Sequence, residues 1–125
     1  MEIADVATPS SPLILIVEDD QRLMMVLGML LEFEQFRFAE ATDGQAALDW
    51  LASNRPALVI LDWLLPKLGG AQVLAAVRDS YGTKVPVLVL SAVAEEVRGT
   101  GADAYMRKPY IIEELVGVIR QLLAA

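Results

Sequence analysis

Three short, almost unbroken apolar runs organise the chain: Leu13–Val17 (LILIV), residues 58–61 (LVIL) and residues 85–90 (VPVLVL). Runs this short, bounded by turn residues, fit strands buried on both faces, as in a parallel sheet. Two weaker strand candidates are residues 36–41 (FRFAEA) and Ala104–Arg107 (AYMR). Helical spacing of apolar positions predicts helices over residues 21–34, 44–54, 70–80 and 111–123, with a short piece near 94–100. Asp43-Gly44, Asn54-Arg55-Pro56, Gly69-Gly70 and Tyr81-Gly82 punctuate the joins. Strand and helix therefore alternate along the whole chain, which predicts an α/β fold with helices on both sides of a parallel sheet. In the first helix the expected core stripe is Leu23, Val26, Leu27, Leu30 and Leu31. That leaves Met24, Met25, Gly28 and Met29 turned outward. No internal repeat or linker divides the chain.

Composition narrows the picture. With 125 residues, 55% of them apolar and 22% charged, the chain is expected to form one globular domain with a real core. The longest apolar run, residues 23–31 around Gly28, is far below the roughly 20 residues of a membrane span. The opening MEIADVATPSSP lacks the basic start of a secretion signal. It is expected to be a loose polar tail over residues 1–12, ahead of a domain over 13–125 in a cytoplasmic protein. The absence of cysteine excludes disulfides, zinc-thiolate sites and thiol nucleophiles, and the absence of histidine removes the commonest general base. A net charge of −7 argues against nucleic-acid binding through a basic face.

The residues that end the strands point to chemistry. The first run ends in Glu18-Asp19-Asp20, the third strand in Asp62, the fourth in Ser91 and the fifth in Lys108-Pro109. The carboxyl ends of strands form the ligand crevice of open α/β sheets. Acids, a hydroxyl and an amine from four strands therefore converge on one rim. Glu18, Asp19 and Asp62 would repel one another unless a hard divalent cation such as magnesium joined them. Lys108 offers a point charge for a phosphoryl oxygen, Ser91 a hydrogen bond, and Asp62 a nucleophile able to form an acyl phosphate. Each residue also has a plainer reading. Asp19 or Asp20 would equally cap the next helix, with Asp20 the expected cap; Ser91 alone suits a turn and Lys108 alone a solvated surface.

On IVEDD, LVILDWLLP with Gly70 following, VLVLSA and GADAYMRKPY, the sequence resembles a response-regulator receiver domain, the phosphoacceptor module of two-component signalling. The resemblance runs from about Leu13 to Leu123. It implies a flavodoxin-like, five-stranded parallel sheet in the order 2-1-3-4-5. It further implies that Glu18 and Asp19 hold Mg2+ (or Mn2+) with Asp62 and the backbone carbonyl of Leu64. Asp62 would be the phosphorylated aspartate, Lys108 and Ser91 its catalytic partners, Ser91 and Tyr105 the switch pair, and Lys108-Pro109 a cis peptide. A phosphodonor would dock along the first helix, where Met25 and Met29 are candidates, the plainer alternative being that neighbouring loops cover them.

The sequence departs from the family in two places. Between Ser91 and Lys108 it is shorter by about five residues, or about 7 Å of helix, which falls on the fourth helix and its entry and leaves a helix of two turns or fewer, or an irregular loop. Standard dimerisation through that face is then not expected. Leu64 and Val93 stand where the family flanks the water that removes the phosphoryl group; neither can orient water, which predicts slow self-dephosphorylation.

Together these features predict a receiver, stand-alone or excised from a larger protein, with no room for an output domain between its last helix and Ala125, that takes a phosphoryl group onto Asp62 from a histidine kinase or histidine phosphotransfer protein. It would then switch binding to a downstream protein target, being a monomer when unphosphorylated and in contact with neither membrane nor nucleic acid. It would be no enzyme beyond its own phosphorylation and dephosphorylation. The rival within the family is a degenerate receiver that binds partners without phosphorylation. An aspartate-nucleophile phosphatase would want an acid where Leu64 stands, and a nucleotide-binding enzyme would want glycine in EDDQRL.

Overall fold

The computed structural model of the protein describes residues 10–92 and 99–124. In chain order its elements are β1 (Leu13–Val17), α1 (Gln21–Phe33), β2 (Arg37–Ala41), α2 (Gly44–Leu51), β3 (Leu58–Asp62), α3 (Gly70–Tyr81), β4 (Val87–Ser91), β5 (Ala104–Arg107) and α4 (Ile112–Ala124). The strands form one parallel sheet in the order β2-β1-β3-β4-β5, the flavodoxin-like order expected. The expected short helix near 94–100 lies largely outside the described residues, as do residues 1–9 of the expected tail. Ser11 and Pro12 are tied to β2: their carbonyls accept from Arg37 Nε at 2.9 Å and Arg37 N–H at 3.0 Å.

Strand periodicity divides the core into two layers. Leu15, Val17, Val59, Leu61, Val87 and Val89 face α2 and α3, meeting Ala47, Leu51, Val73 and Val77. Ile14, Ile16, Leu58, Ile60, Leu88 and Leu90 face the other way, onto Leu27 and Leu31 of α1 and Leu115 and Ile119 of α4. Burying each such side chain is worth about 1.5–3 kcal/mol. That two-sided apolar demand is why β1, β3 and β4 read as continuous apolar runs.

The register of α1 differs from the expected stripe. Its buried residues are Met24, Leu27, Gly28 and Leu31, while Val26 is exposed and Leu23 and Leu30 are only half-buried. The cause is β2: a Cβ on Gly28 would stand 2.9 Å from Phe38 Cζ, so the bare glycine admits the ring and turns that face of the helix inward. Met25 and Met29 do point outward, at 64% and 65% exposure.

Two boundaries move by two residues or more. α2 ends at Leu51 rather than Asn54, because the Tyr81 hydroxyl reaches the carbonyls of Leu51 (3.1 Å) and Asn54 (2.8 Å) and draws the chain off the helical path. β4 begins at Val87 rather than Val85, since Pro86 has no N–H for the ladder, although its carbonyl still accepts from Val59 N–H at 3.0 Å.

Gly117 lies within α4 with nothing near the position of an added Cβ. Gly117→Ala is therefore expected to raise the unfolding free energy by about 1 kcal/mol, the helix-propensity difference. Urea denaturation of the two proteins measures it.

Candidate functional site

The rim at the carboxyl ends of the strands gathers the chemistry. Glu18 follows β1, and its N–H donates to Ala41 O, at the end of β2, at 3.1 Å. Its side chain, 3% exposed, accepts from Lys108 Nζ at Oε1 (3.1 Å) and from Asp20 N–H at Oε2 (3.2 Å). Asp20 is the cap of α1, accepting from the N–H groups of Arg22 and Leu23. That leaves the exposed Asp19 to face the crevice with Glu18.

Asp62 is the last residue of β3 and is 9% exposed. Its Oδ2 lies 3.7 Å from Lys108 Nζ, and its Oδ1 accepts from Leu64 N–H at 3.3 Å. Glu18, Asp19 and Asp62 each present a carboxylate oxygen, all within 4.8 Å of one another. Lys108 is set between Glu18 and Asp62 by the strand that precedes it. Its N–H donates to Ser91 O at 2.9 Å, one step past the β4–β5 ladder, and its bond to Pro109 is cis. Ser91, 2% exposed, closes β4 beside Asp62's strand. Tyr105 lies on β5 opposite Val89, three residues before Lys108 and partly exposed.

Electrostatics follow from this crowding. Burial raises the Glu18 carboxyl above its ordinary value, and the nearby Asp62 charge adds to the rise; the hydrogen bonds from Lys108 and Asp20 only partly offset it. At Lys108 burial alone would favour the neutral amine, but the Glu18 hydrogen bond and the charges of Asp62 and Glu18 together outweigh it and raise its pKa. Burial also pushes the Tyr110 phenol up, against the pull of the Lys108 charge. A carboxyl raised on folding adds stability below its unfolded pKa of 4.5, and that contribution is lost as pH rises through its higher folded value. Lys108 has the same sign higher up: its contribution holds below 10.5 and is lost as pH passes its raised pKa. Glu18→Gln is accordingly expected to be more stable than the parent at pH 7 in metal-free buffer. The gain should shrink toward pH 4, and thermal melts across that range would show it; a gain independent of pH would contradict the assignment to Glu18.

Three clustered carboxylates with one cation between them make a hard-oxygen donor set, and this set fits a divalent ion such as magnesium.

Gly70 and Gly44, read from sequence at turns, hold the loop after Asp62. Gly70 donates to Trp63 O at 3.0 Å, and a Cβ there would meet Trp63 Cε3 at 2.8 Å and its Cα and O at 2.9 Å. A Cβ on Gly44 would run into the backbone of Leu68 in the same loop. Lys67, at φ 68°, pairs across to Asp43 at 3.2 Å. Asp43 also caps α2 through Ala46 N–H, and that bond, with the Lys67 charge, holds its carboxyl below the usual range.

A parallel sheet covered on both faces, with an acidic triad and a lysine at its carboxyl rim, defines a class, and comparison with known proteins gives its family. The model of the response regulator receiver domain matches residues 14–120. The chain belongs to that family, the receiver modules of two-component signalling. It is 43% identical over 115 residues to the response regulator MprA of Mycolicibacterium vanbaalenii, a match covering 88% of this chain and 49% of the relative. The chain thus spans about half the length of the curated relatives it matches. Among solved structures it resembles the receiver domain of Francisella response regulator 1452 (28% identity, TM-score 0.83, covering 91% of this chain and 98% of that one). It also resembles the response regulator TrrA of Thermotoga maritima, solved in complex with Mg(2+)-BeF (26% identity, TM-score 0.81, covering 89% and 98%).

Proposed function

We propose that this domain accepts a phosphoryl group on Asp62 from a phosphohistidine of a histidine kinase or histidine phosphotransfer protein, and so switches its affinity for a downstream protein. The observation that carries the reading is the placement of Lys108 between two buried carboxylates, 3.1 Å from Glu18 and 3.7 Å from Asp62, with Asp19 beside them. An Asp62 oxygen attacks phosphorus; the O–P bond of an acyl phosphate forms as the donor's P–N bond breaks, and the donor imidazole leaves. Lys108 neutralises charge on the phosphoryl oxygens, and Ser91, at the end of the neighbouring strand, donates to one of them. Glu18, Asp19 and Asp62, with the Leu64 carbonyl, would hold Mg2+ (or Mn2+), which when bound supplies further neutralisation of phosphoryl charge. The Mg(2+)-BeF complex of TrrA supports this reading of the donor set.

Signal passes onward as Ser91 and Tyr105 shift between two arrangements. The domain turns over no external substrate. It works in the cytoplasm and is monomeric before phosphorylation; no helix among the described residues is long and apolar enough to cross a membrane. Its acidity argues against nucleic acid as a partner of this domain, whereas the longer relatives have a further part that the chain leaves unmatched.

The test is incubation with phosphoramidate and magnesium, read by intact mass and by Trp63 fluorescence on adding beryllofluoride. A single phosphoryl adduct and a metal-dependent fluorescence change, both absent in Asp62→Asn, are expected. An unlabelled parent that binds no magnesium would leave the degenerate, phosphorylation-independent receiver in its place.

Leu64 is 59% exposed next to the phosphoacceptor and offers no side-chain hydrogen bond; Val93 lies outside the described residues. The acyl phosphate is expected to be long-lived, and Leu64→Asn to shorten its half-life several-fold as the amide orients water. Decay of the phosphorylated mass after donor removal measures this, and equal half-lives would reject it.

A further inference from the structure

The opposite pole of the sheet carries a second concave site of inverse charge. A cavity of about 490 Å³ opens at the amino ends of the strands, and Arg37, Arg55 and Lys84 line it. No carboxylate is among its described lining residues, although the chain as a whole carries a charge of −7. None of the three cations has a carboxylate partner among the described residues.

Topology puts them there together. Arg37 opens β2, Arg55 stands three residues before β3 and Lys84 three before β4. With strands ordered β2-β1-β3-β4 and about 4.8 Å apart, the cations span roughly 14 Å of rim. Each also follows the C-terminal end of α1, α2 or α3, where a positive charge is favoured by the helix dipole. The dipole accounts for their sign but not for a shared cavity.

Two of the cations are held in place. Arg37 Nε donates to Ser11 O at 2.9 Å, which ties the guanidinium to the β2 start. The Arg55 guanidinium lies 5.6 Å from the centroid of the Tyr81 ring, whose hydroxyl is itself anchored on Leu51 O and Asn54 O. Three rim carbonyls are occupied: Pro12 O accepts from Arg37 N–H, Leu13 O from Ala57 N–H and Pro86 O from Val59 N–H. Leu13, Leu122 and Leu123 add apolar surface to the same cavity.

We propose that this cavity binds a small molecule with at least two phosphoryl charges and an apolar group, of the nucleoside diphosphate kind. Planar guanidinium forks and a lysine suit phosphate oxygens, the leucines suit a base or other apolar moiety, and the volume is in the range of small-molecule sites. Binding here is independent of Asp62 chemistry at the far rim.

Calorimetric titration of the full chain with adenosine diphosphate and, separately, with inorganic pyrophosphate, both in magnesium-free buffer, tests this. Saturable binding of the nucleotide is expected, weaker binding of pyrophosphate, and at least about tenfold loss of nucleotide affinity in the Arg55→Gln/Lys84→Gln double variant. That variant should still take up one phosphoryl group on Asp62, which shows it folded. Lys84→Gln alone, at an exposed side chain, should give a smaller loss in the same direction. Absence of saturable nucleotide binding into the millimolar range, or affinity unchanged in both variants, would overturn the proposal. Pyrophosphate binding as tightly as the nucleotide would overturn its apolar half.

Discussion

Replacing Lys108 by methionine is expected to slow phosphoryl uptake on Asp62 by about two orders of magnitude while leaving the fold in place. Methionine keeps the length and apolar stem of lysine but removes the charge that lies 3.1 Å from Glu18 and 3.7 Å from Asp62. Loss of one preorganised donor to developing charge costs about 10²–10³ in rate in comparable sites. A second consequence separates this role from a merely structural one. Without the Lys108 hydrogen bond, burial and the Asp62 charge act on Glu18 with less opposition, so its pKa climbs further. The variant should therefore lose stability at pH 7 but regain it toward pH 4, as Glu18 takes up a proton. Labelling rates with phosphoramidate, together with melts at the two pH values, measure both effects. Uptake at the parental rate would remove Lys108 from the proposed chemistry.

Gly70→Ala is expected to cost about 1–3 kcal/mol, the usual range for forcing an extra methyl into a packed position. Alanine is the better helix former, and at Gly117 the same exchange should stabilise. At Gly70, however, the new methyl would sit 2.9 Å from the Trp63 Cα and carbonyl oxygen, and backbone cannot swing aside as a side-chain tip can. The strain is relieved only by moving Trp63 or the start of α3, and Trp63 is joined to the phosphoacceptor. Magnesium affinity and phosphoryl uptake should fall together with stability in Gly70→Ala, and stay at parental levels in Gly117→Ala. Urea denaturation and a fluorescence-monitored magnesium titration on the two variants make the comparison. A stable Gly70→Ala with unchanged magnesium affinity would show that the loop has more room than its contacts imply.

The architecture was readable because its main signal is coarse. Burial on both faces leaves β1, β3 and β4 little polar choice, so their runs, and the acids and hydroxyl that end them, stand out by contrast. The gathering of Glu18, Asp19, Asp62 and Lys108 on one rim follows once the strands are parallel and adjacent. What pattern alone could not supply depends on single contacts between distant parts of the chain. The face of α1 is set by Phe38 resting on Gly28, and a periodicity count that ranks Val26 above glycine has no means of seeing that. The end of α2 is set by a hydroxyl some 30 residues away, on Tyr81. The tight seats of Gly44 and Gly70 look, in sequence, like ordinary helix starts.

Arg78 carries a consequence for the reactive centre. From α3 it donates to Gly82 O and Val85 O at 3.0 Å, to Gly101 O at 2.8 Å and to Asp103 Oδ2 at 2.6 Å; the same Asp103 oxygen accepts from Val87 N–H at 2.7 Å. One guanidinium thus pins the start of β4 and the approach to β5 to the same point. At the other end of β5, the Lys108 N–H is pinned to Ser91 O. β5 is thus moored at both ends: through Gly101 and Asp103, just before it, to Arg78 of α3, and through Lys108, just after it, to Ser91 of β4. The reach of Lys108 toward Asp62 is thereby set by bonds to α3 and β4, so a guanidinium at the far end of β5 helps to hold the reactive centre in register.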